Sequence, residues 1–329
     1  MTERLPSGAD SAVAAADLRW MRFDRARVFS WAQTIGIIVL LAVIFATPGF
    51  LAKPSILSFL TTVSFIGCVA IGMTLITISG NIMSFALGAT VGVTAMVFIL
   101  ASNWLGFGFG LVVGLLFGSL LTGLQGLMIG WVRANPIIVS IAALALIYGL
   151  TQAFAEKGTI YADPGIFPAS VKGKVGGVPI EFIMFVLSAL IAQFILSFTR
   201  FGRNLFMVGS SFRAAEAVGV NTWRTITGAY LWAGFFTSLA GIMLAVRYDA
   251  ANMDYGVAYD YDAIAAVLVG GTAIGGGHGS AVRTFAGAMV IAAVQVMLLL
   301  RGLRQEWQYL AAGLIVLAVI ILQARGNGR

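Results

Sequence analysis

The sequence predicts an all-α polytopic membrane protein of about ten transmembrane helices, with both termini cytoplasmic and an interrupted helix near 80–88. Three observations predict it. The composition is 60% hydrophobic and 10% charged, with a mean hydropathy of +0.96, whereas a soluble domain carries about 25% charged residues. The apolar residues come in runs of about 20, the length that crosses a hydrocarbon core as a helix. The basic residues divide unevenly between alternate loops. With the N-terminus inside, 13 of the 20 lysines and arginines fall on the inner side and 7 on the outer, as the positive-inside bias requires.

Residues 1–27 read as a cytoplasmic N-terminal segment. They are polar and carry Arg4, Arg19, Arg22, Arg25 and Arg27, so they do not form a cleavable signal. Within them, Leu18 to Val28 mixes arginines with Trp20, Met21 and Phe23. That pattern suits an amphipathic helix lying on the membrane surface; a disordered tail with a few anchors is the alternative. A single transmembrane domain then covers 28–324, and 325–329 is a cytoplasmic tail. Its apolar spans fall at approximately 28–46, 57–79, 85–101, 108–130, 136–155, 180–199, 225–246, 261–276, 284–300 and 307–324.

Between the second and third spans, Ile78 to Ala89 has almost no charge and no clear loop, yet it contains Asn81 and Ser84. It is either a short turn or an interrupted helix, and the latter is tolerated only where protein or a water-filled cavity shields it. Glycines repeat every fourth residue at Gly110, Gly114 and Gly118, and again at Gly126 and Gly130. This spacing lines one helix face and lets backbones approach closely. Trp104, Trp131 and Trp307 fall near span ends, where indole rings anchor at the interface. The single cysteine, Cys68, sits in an apolar run and reads as a small buried hydrophobe.

Two loops are long. The outer one, Glu156 to Pro179, holds prolines and glycines and is expected to be partly ordered. The inner one, Arg200 to Arg224, contains a short helix candidate. Ser211 is its N-cap, Phe212 to Val218 favour helix, and Gly219 is a C-terminal stop. A short helix on the cytoplasmic face, flanked by arginines, is what a peripheral motor needs to push on.

No catalytic constellation is present. The lone His278 gives no pair for a metal or a triad. There is no P-loop lysine motif, so the chain does not hydrolyse ATP by that route. Asp262 to Val290 is dense in glycine, with Gly270, Gly271, Gly275, Gly276, Gly277 and Gly279. It has neither the preceding strand nor the following acidic residue of a dinucleotide site, and reads as a structural hairpin joining the eighth and ninth spans. The basic residues are scattered over loops, so nucleic acid is not an expected partner, and no cofactor is expected. The span interiors read as uncharged. Ion-coupled transporters generally place charges there, so energy from a separate ATPase is favoured.

The most polar outer stretch, Arg247 to Ala263, carries Asp254, Tyr255, Asp260 and Asp262. Carboxylates and flat rings suit sugar hydroxyls and faces, a docking protein with a basic rim, or simply a solvated loop. The polar residues of otherwise apolar spans, Asn81, Ser84, Ser140, Tyr148 and Gln152, are candidates to line a translocation pathway; helix–helix hydrogen bonding is the other use for them.

Three stretches carry a family resemblance. Asp260 to Ala266 leads into VLVGGTAIGGGHGS; Gly202-Arg203-Asn204 leads to Ala214-Ala215-Glu216-Ala217-Val218-Gly219; and Pro136-Ile137-Ile138-Val139-Ser140 follows the fourth span. In this order they resemble the permease subunits of the ribose/xylose/arabinose-type branch of bacterial ABC sugar importers, over about residues 55–323. The resemblance implies a multi-pass inner-membrane permease that pairs with a second permease copy. It also implies a periplasmic substrate-binding protein and a cytoplasmic ABC ATPase, with coupling through Arg213, Ala214, Ala215, Glu216 and Gly219. Three positions depart from the family pattern. Ser84 stands where an aspartate is usual, Arg213 where an acid is common, and Asn252-Met253-Asp254-Tyr255-Gly256 replaces a Gln-Pro-Thr-Ala-Gly run. All three are candidate contacts with substrate or partner. A stand-alone secondary transporter or channel for a small polar solute, and a non-transporting scaffold, are the other readings open at this point.

Overall fold

The computed structural model describes residues 49–81, 83–154 and 158–326. The first expected span and the surface helix before it lie outside the described residues. Helices α1 (Lys53–Ile78), α2 (Leu87–Leu105), α3 (Phe107–Trp131), α4 (Pro136–Phe154) and α5 (Ile180–Phe198) come first. Two short helices follow, α6 (Arg200–Ser210) and α7 (Phe212–Ala217), and then the long α8 (Thr222–Tyr248). The chain closes with α9 (Tyr259–Val269), α10 (Ala281–Leu300) and α11 (Gln305–Gly326). Among the described residues, seven helices are long and apolar enough to cross a membrane. They correspond to seven of the expected spans. The qualifying stretch of α11, Glu306–Ile321, is shorter.

The eighth expected span is a different object. Its helix, α9, has 11 residues and is about 16 Å long at 1.5 Å per residue, roughly half of a hydrocarbon core. The expected helix to residue 276 stops at Val269 because glycines follow, and Gly271 already has φ +75°.

Strands appear that the all-helical reading did not include. β1 (Thr159–Tyr161) pairs antiparallel with β4 (Ala250–Asn252), and β2 (Lys174–Val175) pairs with β3 (Val178–Pro179). The long outer loop is thereby fixed to the chain leaving α8. Phe167 of that loop stacks on Phe98 of α2 with ring centroids 5.4 Å apart, and Lys172 bridges to Asp249. The opposite end of the bundle bears Arg133, Arg200, Arg203, Arg213, Arg224 and Arg283.

The helices pack through glycine. On α3, Gly114 faces Phe98 and Ile242, Gly118 faces Ser238, Gly126 faces Tyr230, and Gly130 faces the backbone of Trp223. The outer side of α3 presents Leu116, Leu120, Leu124 and Met128, all exposed. One helix thus shows glycine to its neighbours and leucine outward, the division expected where lipid is the solvent. Cys68 is buried, as expected, with Sγ 3.8 Å from the Ser188 hydroxyl.

The helix break near 80–88 is real. α1 ends at Ile78 and α2 begins at Leu87. Between them Asn81, Met83, Ser84 and Ala86 are buried without helical structure, so protein supplies the shielding that non-helical backbone needs. At the start of α2, the Gly88 N–H donates to Asp260 Oδ1 at 2.8 Å. A Cβ on Gly88 would stand 2.7 Å from Asp260 Oδ2. The N-termini of α2 and α9 therefore meet, and a carboxyl answers an N–H that no helical carbonyl can reach.

At the arginine-bearing end three backbones touch. The end of α1, the end of α6 and the loop after α9 converge at Gly80, Gly209 and Gly276. The Gly277 N–H donates to the Ile78 carbonyl at 3.0 Å. A Cβ on Gly209 would run into that same carbonyl, and one on Gly276 would enter the backbone of Gly80. These contacts correct the hairpin reading. Gly270 does serve the approach of α9 to α10, since a Cβ there would lie 2.7 Å from the Arg283 carbonyl. Gly276, Gly277 and Gly279 instead meet α1 and α6, while a Cβ on Gly275 would meet nothing within 4 Å.

Two predictions follow from these contacts. Gly209→Ala overpacks a backbone contact and should destabilise the protein by about 1–3 kcal/mol, while Gly275→Ala should stay within about 0.5 kcal/mol; thermal unfolding of both in detergent separates them. Asp260→Ala leaves the Gly88 N–H unanswered and should cost about 1–3 kcal/mol. The exposed Asp254→Ala is its control in the same measurement and should be nearly silent.

Candidate functional site

The inner loop folds as its sequence predicts. The Ser211 hydroxyl accepts from the Ala214 N–H at 3.3 Å, which caps α7. At the other end Gly219 takes φ +81°. Its N–H donates to the Glu216 carbonyl at 3.0 Å and that of Val220 to the Ala215 carbonyl at 3.0 Å. Glycine at this position ends a helix because it adopts the left-handed conformation without a Cβ clash. Of α7, only Ala215 is buried; Arg213, Ala214 and Glu216 are exposed, as is Gly219 beyond it. A six-residue helix is thus held by its caps, by buried Ala215 and by half-buried Phe212, which packs against the core, while Arg213, Ala214 and Ala217 remain exposed. Because α6 ends at Ser210, next to Gly209, α7 hangs directly from the three-backbone junction.

A second attachment was not expected from sequence. Arg133, in the turn between α3 and α4, places Nη2 2.7 Å from Glu216 Oε1. Its guanidinium also lies over the Phe212 ring, 5.0 Å from the centroid. Thr222 at the start of α8 donates to the same Glu216 oxygen at 3.3 Å. Arg133 has φ +57°, a conformation that costs a non-glycine residue roughly 1–2 kcal/mol. The side chains of the pair are 65% and 40% exposed, and such ion pairs contribute about 0–1 kcal/mol. The ion pair alone therefore does not offset the backbone strain; with the ring contact, about 0.5–1 kcal/mol more, it comes close to doing so. Neither the positive φ nor the pairing with α7 could have been read from sequence; Arg133 itself, alone before Pro136, was visible but carried no motif.

Among the described residues, the five pathway candidates make separate contacts. Asn81 donates to the Ser79 hydroxyl at 2.7 Å, and the Ser84 hydroxyl accepts from the Ala86 N–H at 3.3 Å. Both are buried and satisfied within their own segment. The Ser140 hydroxyl donates to the Ile137 carbonyl at 2.9 Å. Gln152 is exposed on α4, and Tyr148 is half-buried. Tyr148 lies within electrostatic reach of Asp254 and Asp260, which links α4 to the segment between β4 and α9. Asn81 lines a cavity of about 430 Å³ at the arginine-bearing end, with Arg133, Phe212 and Gly209 among its other walls. On α4, Ser140 and Ile147 are the buried side chains among the described residues. This helix carries three of the five candidates and is the least enclosed of the long helices.

The outer-mouth group divides. Asp254 is exposed, and Tyr255 is half-buried with its ring 5.5 Å from that of Tyr248. Asp260 and Asp262 are buried, at 9% and 3% exposure, and do not form a mouth. Asp260 caps α2, and Asp262 is buried beside it in the first turn of α9, its Oδ1 without a hydrogen-bond partner among the described residues. This also corrects the expectation of uncharged interiors. The two carboxyls sit in the first turn of α9, where a helix N-terminus favours acid, and α9 begins inside the bundle because it is short.

Comparison with known proteins agrees with this architecture. A family model described as branched-chain amino acid transport system / permease component matches residues 55–320. The ribose import permease protein RbsC of Haemophilus influenzae is 28% identical over 293 residues, covering 87% of this chain and 90% of that protein. The galactose/methyl galactoside import permease protein MglC of the same organism is 30% identical over 219 residues, covering 62% and 63%. The autoinducer 2 import system permease protein LsrD of Escherichia coli is 27% identical over 263 residues, covering 78% and 79%. No solved structure matches. With the match running from α1 into α11, the chain belongs to the family of permease components of branched-chain amino acid-type transport systems and is a multi-pass membrane transport subunit, not an enzyme.

Proposed function

We propose that this chain is the membrane-spanning subunit of an ATP-driven importer for a monosaccharide or a related polyol. A separate cytoplasmic ATPase drives it through α7, and a periplasmic binding protein delivers the substrate. The arginine-bearing end faces the cytoplasm, with both termini on that side, as the positive-inside bias directs. The observation that carries the reading is α7. It is capped at both ends, exposed except at Ala215 and half-buried Phe212, and suspended from the junction of α1, α6 and the glycine loop. A soluble motor needs such a handle, because displacement there is passed on through backbone contact rather than through pliable side chains.

The substrate class rests on the relatives. Those named for ribose and for galactose/methyl galactoside match this chain over most of its length or nearly two thirds of it. The polar residues of α4 support a pathway between two permease copies. Ser140, Tyr148 and Gln152 are carried by a helix with little packing of its own, and Ala145, Gly149 and Ala153 recur every fourth residue on its exposed side. Small residues at that spacing suit close contact with another helix in a bilayer. Asn81 and Ser84 then stand at the inner part of the route. Asp254 and Tyr255, at the strand end, are in place to meet the binding protein. Arg213, Ala214, Glu216 and Gly219 form the surface offered to the ATPase, with Ala215 as its foot. Alternating access follows if closure of the motor subunits moves α7 and, through it, the junction.

The test is reconstitution in proteoliposomes with the ATPase and binding protein, with D-ribose and D-galactose as probe sugars. Uptake should require ATP and survive collapse of ion gradients; uptake that persists without the ATPase, or that stops with the gradient, assigns the chain to secondary transport instead. Gly219→Val strains the end of α7 by roughly 1–2 kcal/mol. It should abolish turnover stimulated by the binding protein while the complex still assembles.

A further inference from the structure

We infer that Arg133 is the positioning residue that carries movement of α7 into α4. The inference rests on the coupling role proposed for α7. One guanidinium holds α7 at two points: the ion pair to Glu216 at 2.7 Å, and the face of the Phe212 ring at 5.0 Å. Phe212 and Glu216 are four residues apart, so both lie on one side of the helix, and the grip spans a full turn. Ala215 and half-buried Phe212 seat the helix on the core, and the Arg133 grip ties that seat to the turn before α4.

On the other side of Arg133 the linkage is short. Pro136 opens α4, and the Asn135 Oδ1 accepts from the Ile137 N–H at 2.9 Å, which stiffens the turn. A pull on Arg133 therefore reaches the first turn of α4 with little slack. Among the described residues, α4 buries Ser140 and Ile147, so few contacts within this chain resist its moving with Arg133, and the face it offers a second copy moves with it. The rim matters too. Arg133 and Phe212 both line the cavity of about 430 Å³ that reaches Asn81 and Gly80, and the clamp crosses that rim. Displacement of α7 thus alters the opening beside Asn81 and the tilt of α4 in one motion.

The backbone of Arg133 is the sharpest indication. Its φ of +57° is one that glycine adopts freely. A residue whose only task was to make this turn would be better as glycine, and the ion pair and ring contact together do no more than balance the strain. Arginine at this point has a use that glycine cannot supply.

The test compares Arg133→Gly, Glu216→Gln and their combination in the complete complex of permease, ATPase and binding protein in proteoliposomes. Arg133→Gly should keep or raise the melting temperature of the complex. Turnover stimulated by the binding protein, and uptake of D-ribose or D-galactose, should both fall about fivefold or more, the lower end of ordinary coupling between sites. Glu216→Gln, which is isosteric, should fall in the same direction, and the double variant should be no worse than the poorer single one, because the two groups act as a unit. Full stimulation in Arg133→Gly, or losses that multiply in the double variant, overturns the inference. If Gly219→Val uncouples while Arg133→Gly does not, the proposed function stands and this inference alone fails. Turnover in the unaltered complex that ignores the binding protein removes both.

Discussion

The structure depends on one steric constraint: three backbones meet where no Cβ can fit. The end of α1, the end of α6 and the loop beyond α9 touch at Gly80, Gly209 and Gly276. In a bilayer, apolar side chains gain little by leaving lipid for protein, so close backbone approach and hydrogen bonds hold helices together. Here the approach is closed by the bond from Gly277 N–H to the Ile78 carbonyl. The same economy runs up α3, where glycine faces α2 and α8 while Leu116, Leu120 and Leu124 face outward. Because the junction is backbone on backbone, it has no soft side chain to absorb a displacement. α7, hung from it, inherits that stiffness.

A second meeting point lies inside the bundle. α2 and α9 both start there rather than at a surface, and their N-termini face each other across Gly88 and Asp260. Two helix starts brought together would repel, with unanswered N–H groups on each side. The Asp260 carboxyl resolves the conflict by accepting from the Gly88 N–H, so this buried acid has an account in helix architecture.

Stiff and loose regions are thus separated. The glycine-packed helices α1, α3 and α8 form the fixed part. Attached to them is α4, with two buried side chains among the described residues and three polar ones that suit a route for a hydroxylated solute. A transporter needs this division, because alternating access requires one element to move against a body that does not. In the mechanism we propose, the link between motor surface and moving element runs through the turn at Arg133, where an unfavourable φ is retained beside an exposed ion pair.

The sequence by itself determined the membrane class, seven of the ten expected spans, the capped helix between Ser211 and Gly219, and the family. Each of these is local: hydropathy over 20 residues, glycines four apart, a cap and a stop, or an ordered motif. Only the tertiary structure decided which backbones the glycines of 270–279 touch, because a glycine's neighbours in space leave no mark on its neighbours in sequence. It likewise moved Asp260 and Asp262 from an expected mouth to the interior, since α9 stops at Val269 and begins within the bundle. The clamp from Arg133 to Phe212 and Glu216 joins residues about 80 positions apart. Long-range contact of that kind is settled by packing, and packing is the one thing a pattern of residues along a chain does not contain.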